Sequence, residues 1–243
     1  MRRFAPPLGL LLMGPLWVGC ESPPVVLWHS VGEPRADGLW VAVDALRVQL
    51  ESLRDEGYTP VTVHHLDQIL AKDAPAPARP VALTFDDGYS SFYDHAFPVL
   101  RELGFSATVF LISSRVGAEG YLSWEQIREL EAAGIEMESH TVTHRRLRDL
   151  GAAEQREEIV RSKAALEEGL GHPITSIAYP FGSNTELAHR AALEAGYTSG
   201  YSVTSGLNGP FDRLRVSVHA EHGLDDFRRM LGGSWWEHAR DHR

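Results

Sequence analysis

Short apolar runs alternate with longer amphipathic stretches from residue 25 to residue 231. Residues 25–29, 81–85, 106–112, 135–138, 174–179, 198–203 and 214–218 are rich in apolar side chains and bounded by turn-forming or charged residues, and they predict strands. Residues 44–56, 91–103, 123–133, 152–170, 185–195 and 224–231 set apolar side chains among charges and predict helices. In the first of these the apolar positions are Leu46, Val48, Leu50 and Leu53, and Gly57 is the stop signal. Gly104, Gly134, Gly171 and Gly196 each stand where a helix hands over to the next strand. Such alternation predicts an α/β fold, a mostly parallel sheet wrapped by helices, whose working residues gather at the strands' C-terminal ends. No internal repeat interrupts it.

One stretch breaks the alternation. Residues 73–80, Asp-Ala-Pro-Ala-Pro-Ala-Arg-Pro, read as a stiff exposed connector. It sets an N-terminal extension, 20–79, apart from a main body, 80–232, with a tail at 233–243. Residues 1–19 fit neither part. Met1-Arg2-Arg3 is a short basic start, and the apolar run from Leu8 to Val18 is broken by Gly14 and Pro15 before Gly19-Cys20. That is the layout of a signal peptide, too short and interrupted for a permanent span. A small residue before a lone cysteine resembles a bacterial lipobox, although Trp17 stands where leucine is usual. Cys20 is therefore expected to become the lipidated first residue of an exported, membrane-anchored protein of the cell envelope.

Composition narrows the classes. The 243 residues are 43% hydrophobic and 23% charged, enough apolar mass for a core and too much for a disordered chain. The 23 basic and 33 acidic residues give a net charge of −10, and loss of residues 1–19 makes it −12 over 224 residues. A chain so anionic lacks the field that holds nucleic acid. One cysteine excludes an intrachain disulfide and a four-thiolate zinc site. The expected state is a monomer.

Polar residues collect at three predicted strand ends. The first group is Thr84-Phe85-Asp86-Asp87-Gly88-Tyr89. Adjacent acids at the end of a strand cannot both face the same way, so one can bind a cation while the other stays free for proton transfer. The second is Ser139-His140-Thr141-Val142-Thr143-His144. Histidines four apart project from one face of a helical turn, which lets two imidazoles grip one metal ion. With one aspartate from the first group the ligands are a carboxylate and two imidazoles, leaving positions open for water, as in a catalytic site. The third, Ala178-Tyr179-Pro180-Phe181-Gly182, is a strand entering a turn whose freed backbone N–H groups can face a substrate oxygen.

In order, TFDDGY, SHTVTH and AYPFG resemble the motifs of the polysaccharide deacetylases, carbohydrate esterase family 4 or the NodB-homology domain. The resemblance covers residues 80–232. The segments VVLWHSVG and GYTPVTVHHLDQIL resemble the N-terminal extension of the poly-N-acetylglucosamine deacetylase branch. The resemblance implies a distorted (β/α) barrel with its site at the strand C-terminal mouth. It implies that Asp87, His140 and His144 hold a divalent metal, usually zinc, and that Asp86 is the general base that takes a proton from the attacking water. The backbone N–H of Phe181 is implied as an oxyanion donor, with Pro180 and Tyr89 beside the substrate. The implied reaction removes N-acetyl groups from an extracytoplasmic glycan containing N-acetylglucosamine, such as poly-N-acetylglucosamine, peptidoglycan or a chitin-like polymer.

Two positions depart from the family pattern. Ala178 stands where many members have an arginine that pairs with the base, and Arg213 or Arg215 could serve instead. The late histidine that protonates the departing amine has no clear counterpart; His219 is the candidate and His222 the second choice. These departures keep two other readings open, a weakly active or inactive glycan-binding lipoprotein and an O-acetyl sugar esterase. His29, at the end of the first strand, is expected to be a hydrogen-bonded structural histidine. No role is assigned to His64, His65, His95, His172, His189, His238 or His242, and Trp124, Tyr179, Trp235 and Trp236 are expected to pack rather than bind sugar.

Overall fold

The computed structural model describes residues 22–32, 34–204 and 209–231. The expected signal peptide, Cys20 and the aromatic pair Trp235 and Trp236 lie outside the described residues. Among the described residues, nine strands form one sheet: β1 (Val25–Trp28), β4 (Thr59–Val61), β5 (Pro80–Phe85), β6 (Thr108–Leu111), β7 (Glu136–Ser139), β8 (Ser176–Ala178), β9 (Ser199–Ser202), β10 (Arg213–Leu214) and β11 (Val216–Ser217). A separate parallel pair, β2 (Ser30–Val31) and β3 (Trp40–Val41), follows β1. The helices are α1 (Val43–Asp55), α2 (Val63–Ala71), α3 (Phe97–Leu103), α4 (Trp124–Ala132), α5 (Ala152–Leu170), α6 (Glu186–Ala195) and α7 (Leu224–Leu231).

The sheet runs β10-β9-β8-β7-β6-β5-β1-β11, every neighbour parallel, with β4 also on β5. Its two end strands are consecutive in the chain. Arg213 pairs with Tyr201 of β9, and three residues later Val216 pairs with Val26 of β1. The short segment from β10 to β11 therefore bridges both edges and brings the ring close to closure at Arg215. The expected strand over 214–218 is thus two two-residue strands, because the chain changes partner halfway.

Alternation along each strand divides the side chains into two sets. Val81, Leu83 and Phe85 of β5, Val109 and Leu111 of β6 and Ile177 of β8 join the main core beneath the helices. Ala82, Phe110, Ala178, Tyr201 and Val25 instead form a smaller cluster with Val63 and Leu66 of α2. That helix plugs the N-terminal end of the barrel. The same period carries Asp86, His140 and Arg215 inward near the opposite end.

Three local results differ from the expected pattern. Residues 91–103 open as a π-helical turn, Phe92–Ala96, before α3, with the Phe97 amide bonded to the Phe92 carbonyl. Pro98 explains the wider turn, since its ring would crowd the carbonyl four residues back in an α-helix. Residues 20–79, set apart in sequence by the connector, supply β1 between β5 and β11, β4 beside β5, and the α2 plug. The segment 140–144 is a loop, with Thr141 at φ 66° and His144 at φ 61°, instead of the helical turn expected from the histidine spacing. Among the described residues no helix is long and apolar enough to cross a membrane.

Candidate active site

β5 ends at Phe85 and is followed by Asp86, whose amide is bonded to the Trp28 carbonyl at 2.9 Å, and the chain then turns sharply through Asp87 (φ 73°) and Gly88 (φ 74°). Gly88 also meets a close approach: a Cβ there would lie 2.7 Å from Leu111 Cδ2. The turn sends the neighbouring carboxylates in different directions, as adjacent positions require. Asp86 meets Arg215, whose Nη1 and Nη2 donate to Oδ1 and Oδ2 at 2.6 and 2.7 Å. Both groups are buried. Burial opposes the charge of Asp86, but Arg215 and then His140 outweigh it and hold its pKa far below the usual carboxylate range. The expectation that Arg213 or Arg215 replaces the arginine absent at 178 resolves to Arg215; Arg213 pairs with Asp67 instead.

Among the described residues Asp87 has no such cation in contact. Burial pushes its pKa up to about 6, and the charge of Asp86 adds to the shift while His29 opposes it. Its Oδ1 is buried with no hydrogen-bond partner, and it lies 3.6 Å from His140 Nε2 and 3.3 Å from His144 Nε2. One donor atom from each of Asp87, His140 and His144 falls within 4.8 Å of the others, so the three could hold a metal ion. The donor chemistry fits a divalent cation. His140 Nδ1 donates to the Ala178 carbonyl at 2.8 Å, which leaves the Nε2 lone pair facing the carboxylates. Burial lowers the His140 pKa to about 3 and lowers that of His144 too, so both imidazoles are neutral and able to ligate near neutral pH.

The loop carrying these histidines is fastened from below. Glu158 of α5 accepts from the amides of Val142 at 3.0 Å and Thr143 at 2.8 Å, and from the Thr143 hydroxyl. Ser183 accepts at Oγ from Arg148 N at 2.8 Å, tying this loop to the turn at Pro180–Gly182. In that turn Gly182 N bonds to Tyr179 O and Ser183 N to Pro180 O, neither using the Phe181 amide. Phe181 sits at φ 57° and is 51% exposed, and its ring is 4.8 Å from that of His144. Arg146 lies over the same ring at 4.7 Å. On the other flank Tyr89 stacks obliquely on Tyr121 at 5.2 Å, and Arg35 donates to the Tyr89 hydroxyl at 3.1 Å.

The acid candidate His219 and the strand-end histidine His29 differ in their surroundings. His219 Nε2 is 2.8 Å from Ser217 Oγ, Nδ1 is 3.5 Å from Glu221, and the ring stacks on His222 at 5.3 Å. His29, expected to be a hydrogen-bonded structural residue, instead has a buried Nδ1 without a hydrogen-bond partner. Burial lowers its pKa, and the charges of Asp86 and Asp87 act in the opposite direction. Its place at the end of a strand was the signal in sequence; its adjacency to β5 was not visible there.

Residues 73–200 match the family model described as polysaccharide deacetylase. YxkH of Bacillus subtilis strain 168, whose name places it among these proteins, is 32% identical over 193 residues, covering 78% of this chain and 68% of YxkH. The chain belongs to the polysaccharide deacetylase family.

Members of the family are hydrolases acting on amide bonds. The poly-beta-1,6-N-acetyl-D-glucosamine N-deacetylase of Escherichia coli K12 is 33% identical over 134 residues, 48% of this chain, which spans only 20% of that longer enzyme. The Streptococcus pyogenes deacetylase PplD, solved with acetate, superposes with a TM-score of 0.79 at 25% identity, covering 86% of this chain and 97% of PplD. The family match includes Asp86, Asp87, His140, His144, Pro180 and Phe181 of this deacetylase, whereas His29, Arg215 and His219 lie outside it.

Proposed function

We propose that this deacetylase removes N-acetyl groups from an extracytoplasmic polysaccharide containing N-acetylglucosamine, by metal-assisted hydrolysis. One observation carries the reading. Asp87, buried without a cation, faces two neutral imidazoles, while the charge of its neighbour Asp86 is already matched by Arg215. A divalent ion, zinc by preference for two imidazoles and a carboxylate, would be held by Asp87, His140 and His144, polarising the acetamide carbonyl and acidifying water.

Asp86 accepts the proton of the attacking water at a carboxylate oxygen. Arg215 keeps that carboxylate ionised and oriented, and in doing so lowers its basicity. The Phe181 amide donates to the oxyanion that develops on the acetamide oxygen. His29, whose protonated form the charges of Asp86 and Asp87 favour, delivers its proton to the departing nitrogen as the C–N bond breaks, releasing acetate and leaving an amine on the sugar; His219 is the alternative donor. The flanking aromatic groups, Phe181 with Arg146 and Tyr89 with Tyr121, suit sugar rings on either side of the scissile group.

The arginine missing at 178, which by itself suits a binding protein without activity, is made good by Arg215. The deciding experiment joins metal analysis to acetate release from N-acetylglucosamine oligomers. About one divalent ion per chain with acetate release is expected. Metal without acetate release points to a glycan binder, and release from O-acetyl esters alone points to an esterase. Cys20 is proposed as the lipid anchor on the cell envelope. Palmitate labelling that survives in Cys20→Ala overturns this.

A further inference from the structure

We propose that Asp67 and Arg213 are positioning residues that set the catalytic base from the opposite end of the barrel, acting through Arg215. The inference rests on the deacetylase reading, in which Asp86 is the base. Arg213 Nε lies 2.8 Å from Asp67 Oδ1 in an ion pair without hydrogen-bond geometry, and the same oxygen accepts from the Tyr201 hydroxyl at 3.0 Å. Asp67 Oδ2 is bonded to the Ser199 hydroxyl and lies 3.4 Å from Ser176 Oγ. Ser176 and Ser199 open β8 and β9, so this anchor sits at the barrel's N-terminal end, on the plug helix α2.

Arg213 and Arg215 are two residues apart on the closing segment, and strand alternation gives them the same face. They extend to opposite partners, Arg213 to the plug and Arg215 to Asp86. Backbone pairing of this segment is sparse: two residues on β9, then two on β1. The plug, by contrast, has other fixings. Val63 N donates to Thr108 Oγ1 and to Glu136 Oε2, both at 3.0 Å, and His64 N donates to Glu136 Oε1 at 3.3 Å. Loss of the Asp67–Arg213 pair therefore leaves α2 seated and falls on the closing segment. Arg213, left in the barrel floor without its counter-charge, has reason to move toward solvent and to draw Arg215 with it.

The test is a double-mutant cycle between Asp67→Asn and Arg215→Lys, read on turnover and on thermal unfolding. Asp67→Asn should lower kcat by about 10-fold or more, since small misplacements of catalytic groups are costly, with KM and bound metal unchanged. In the Arg215→Lys background the same change should add little to either readout, the signature of two residues acting as one unit. Arg213→Lys, which keeps the charge, should retain more activity than Arg213→Met. Independent, additive effects on melting temperature overturn the proposal, and this readout needs no activity. An active wild type whose Asp67→Asn variant keeps its kcat also overturns it, whereas an inactive wild type counts against the deacetylase reading. If Asp67→Asn does not fold, Tyr201→Phe removes one hydrogen bond to Asp67 and should lower kcat in the same direction; an unchanged kcat there overturns the proposal.

Discussion

Arg215 grips Asp86 through both guanidinium nitrogens, at 2.6 and 2.7 Å, in a buried pair formed across 129 residues of sequence. The pair divides two neighbouring carboxylates into different chemical species. Asp86 is ionised because its counter-charge is built into the barrel, while Asp87, equally buried, is left wanting a cation.

Breaking the pair should be costly. Arg215→Met strands a buried carboxylate, and a loss of roughly 3–5 kcal/mol in unfolding free energy is expected, measured in urea. The pH sign follows from the depressed pKa of Asp86. Its stabilisation is complete above the unfolded aspartate value of about 4 and disappears as pH falls toward the folded value, so the variant should lose less stability than wild type on acidification.

Metal uptake should be sensitive to acid. Because the Asp87 pKa is raised to about 6 in the metal-free protein, protons compete for the site as pH falls through that value, and affinity measured by titration should drop. His140→Ala, His144→Ala and Asp87→Ala should each lose the ion. Asp86→Asn should keep it and lose turnover. If Asp87→Ala keeps the ion and Asp86→Asn loses it, the two roles are reversed.

Glu158 touches the loop between the two histidines without facing the metal position. Glu158→Ala should weaken metal binding by about 10–100-fold, the usual scale for groups that orient ligands. Equilibrium dialysis checks it, with unchanged affinity as the contrary result.

His29→Ala should reduce acetamide hydrolysis by about 10²–10⁴-fold, because an amine leaves poorly unless protonated. An activated acetyl ester should suffer much less. The selective loss appearing in His219→Ala instead would transfer the role to His219.

The barrel floor gives an opposite pH dependence. In β7 Glu138 is buried and Glu136 partly buried, and burial raises both pKa values, with the Glu136 charge adding to the shift at Glu138. Stability from a raised carboxyl is complete below its unfolded pKa and lost as pH rises through the folded one. Glu138→Gln should therefore flatten the decline in melting temperature as pH rises above the unfolded glutamate value of about 4.3. A decline of equal slope in both proteins counts against this assignment.

Read alone, the sequence established the alternation of strands and helices and pointed to the family and to a candidate metal triad. Each of these rests on contacts local to one segment or on a residue's place at a strand end, which apolar periodicity and motif order reveal. Asp86-Asp87 and His140 to His144 are in this class, although the histidine loop proved to depend on left-handed backbone at Thr141 and His144 rather than on a helical turn. Tertiary structure decided the partners. Ala178 looked like a missing cation because the sequence does not show that the last two short strands close the ring and deliver Arg215 to Asp86. His29 looked structural for the same reason, since its strand comes from the extension set apart by the connector yet lies between β5 and β11. A charge pair across 129 residues leaves no local periodicity to read, and only closure of the barrel brings its members into contact.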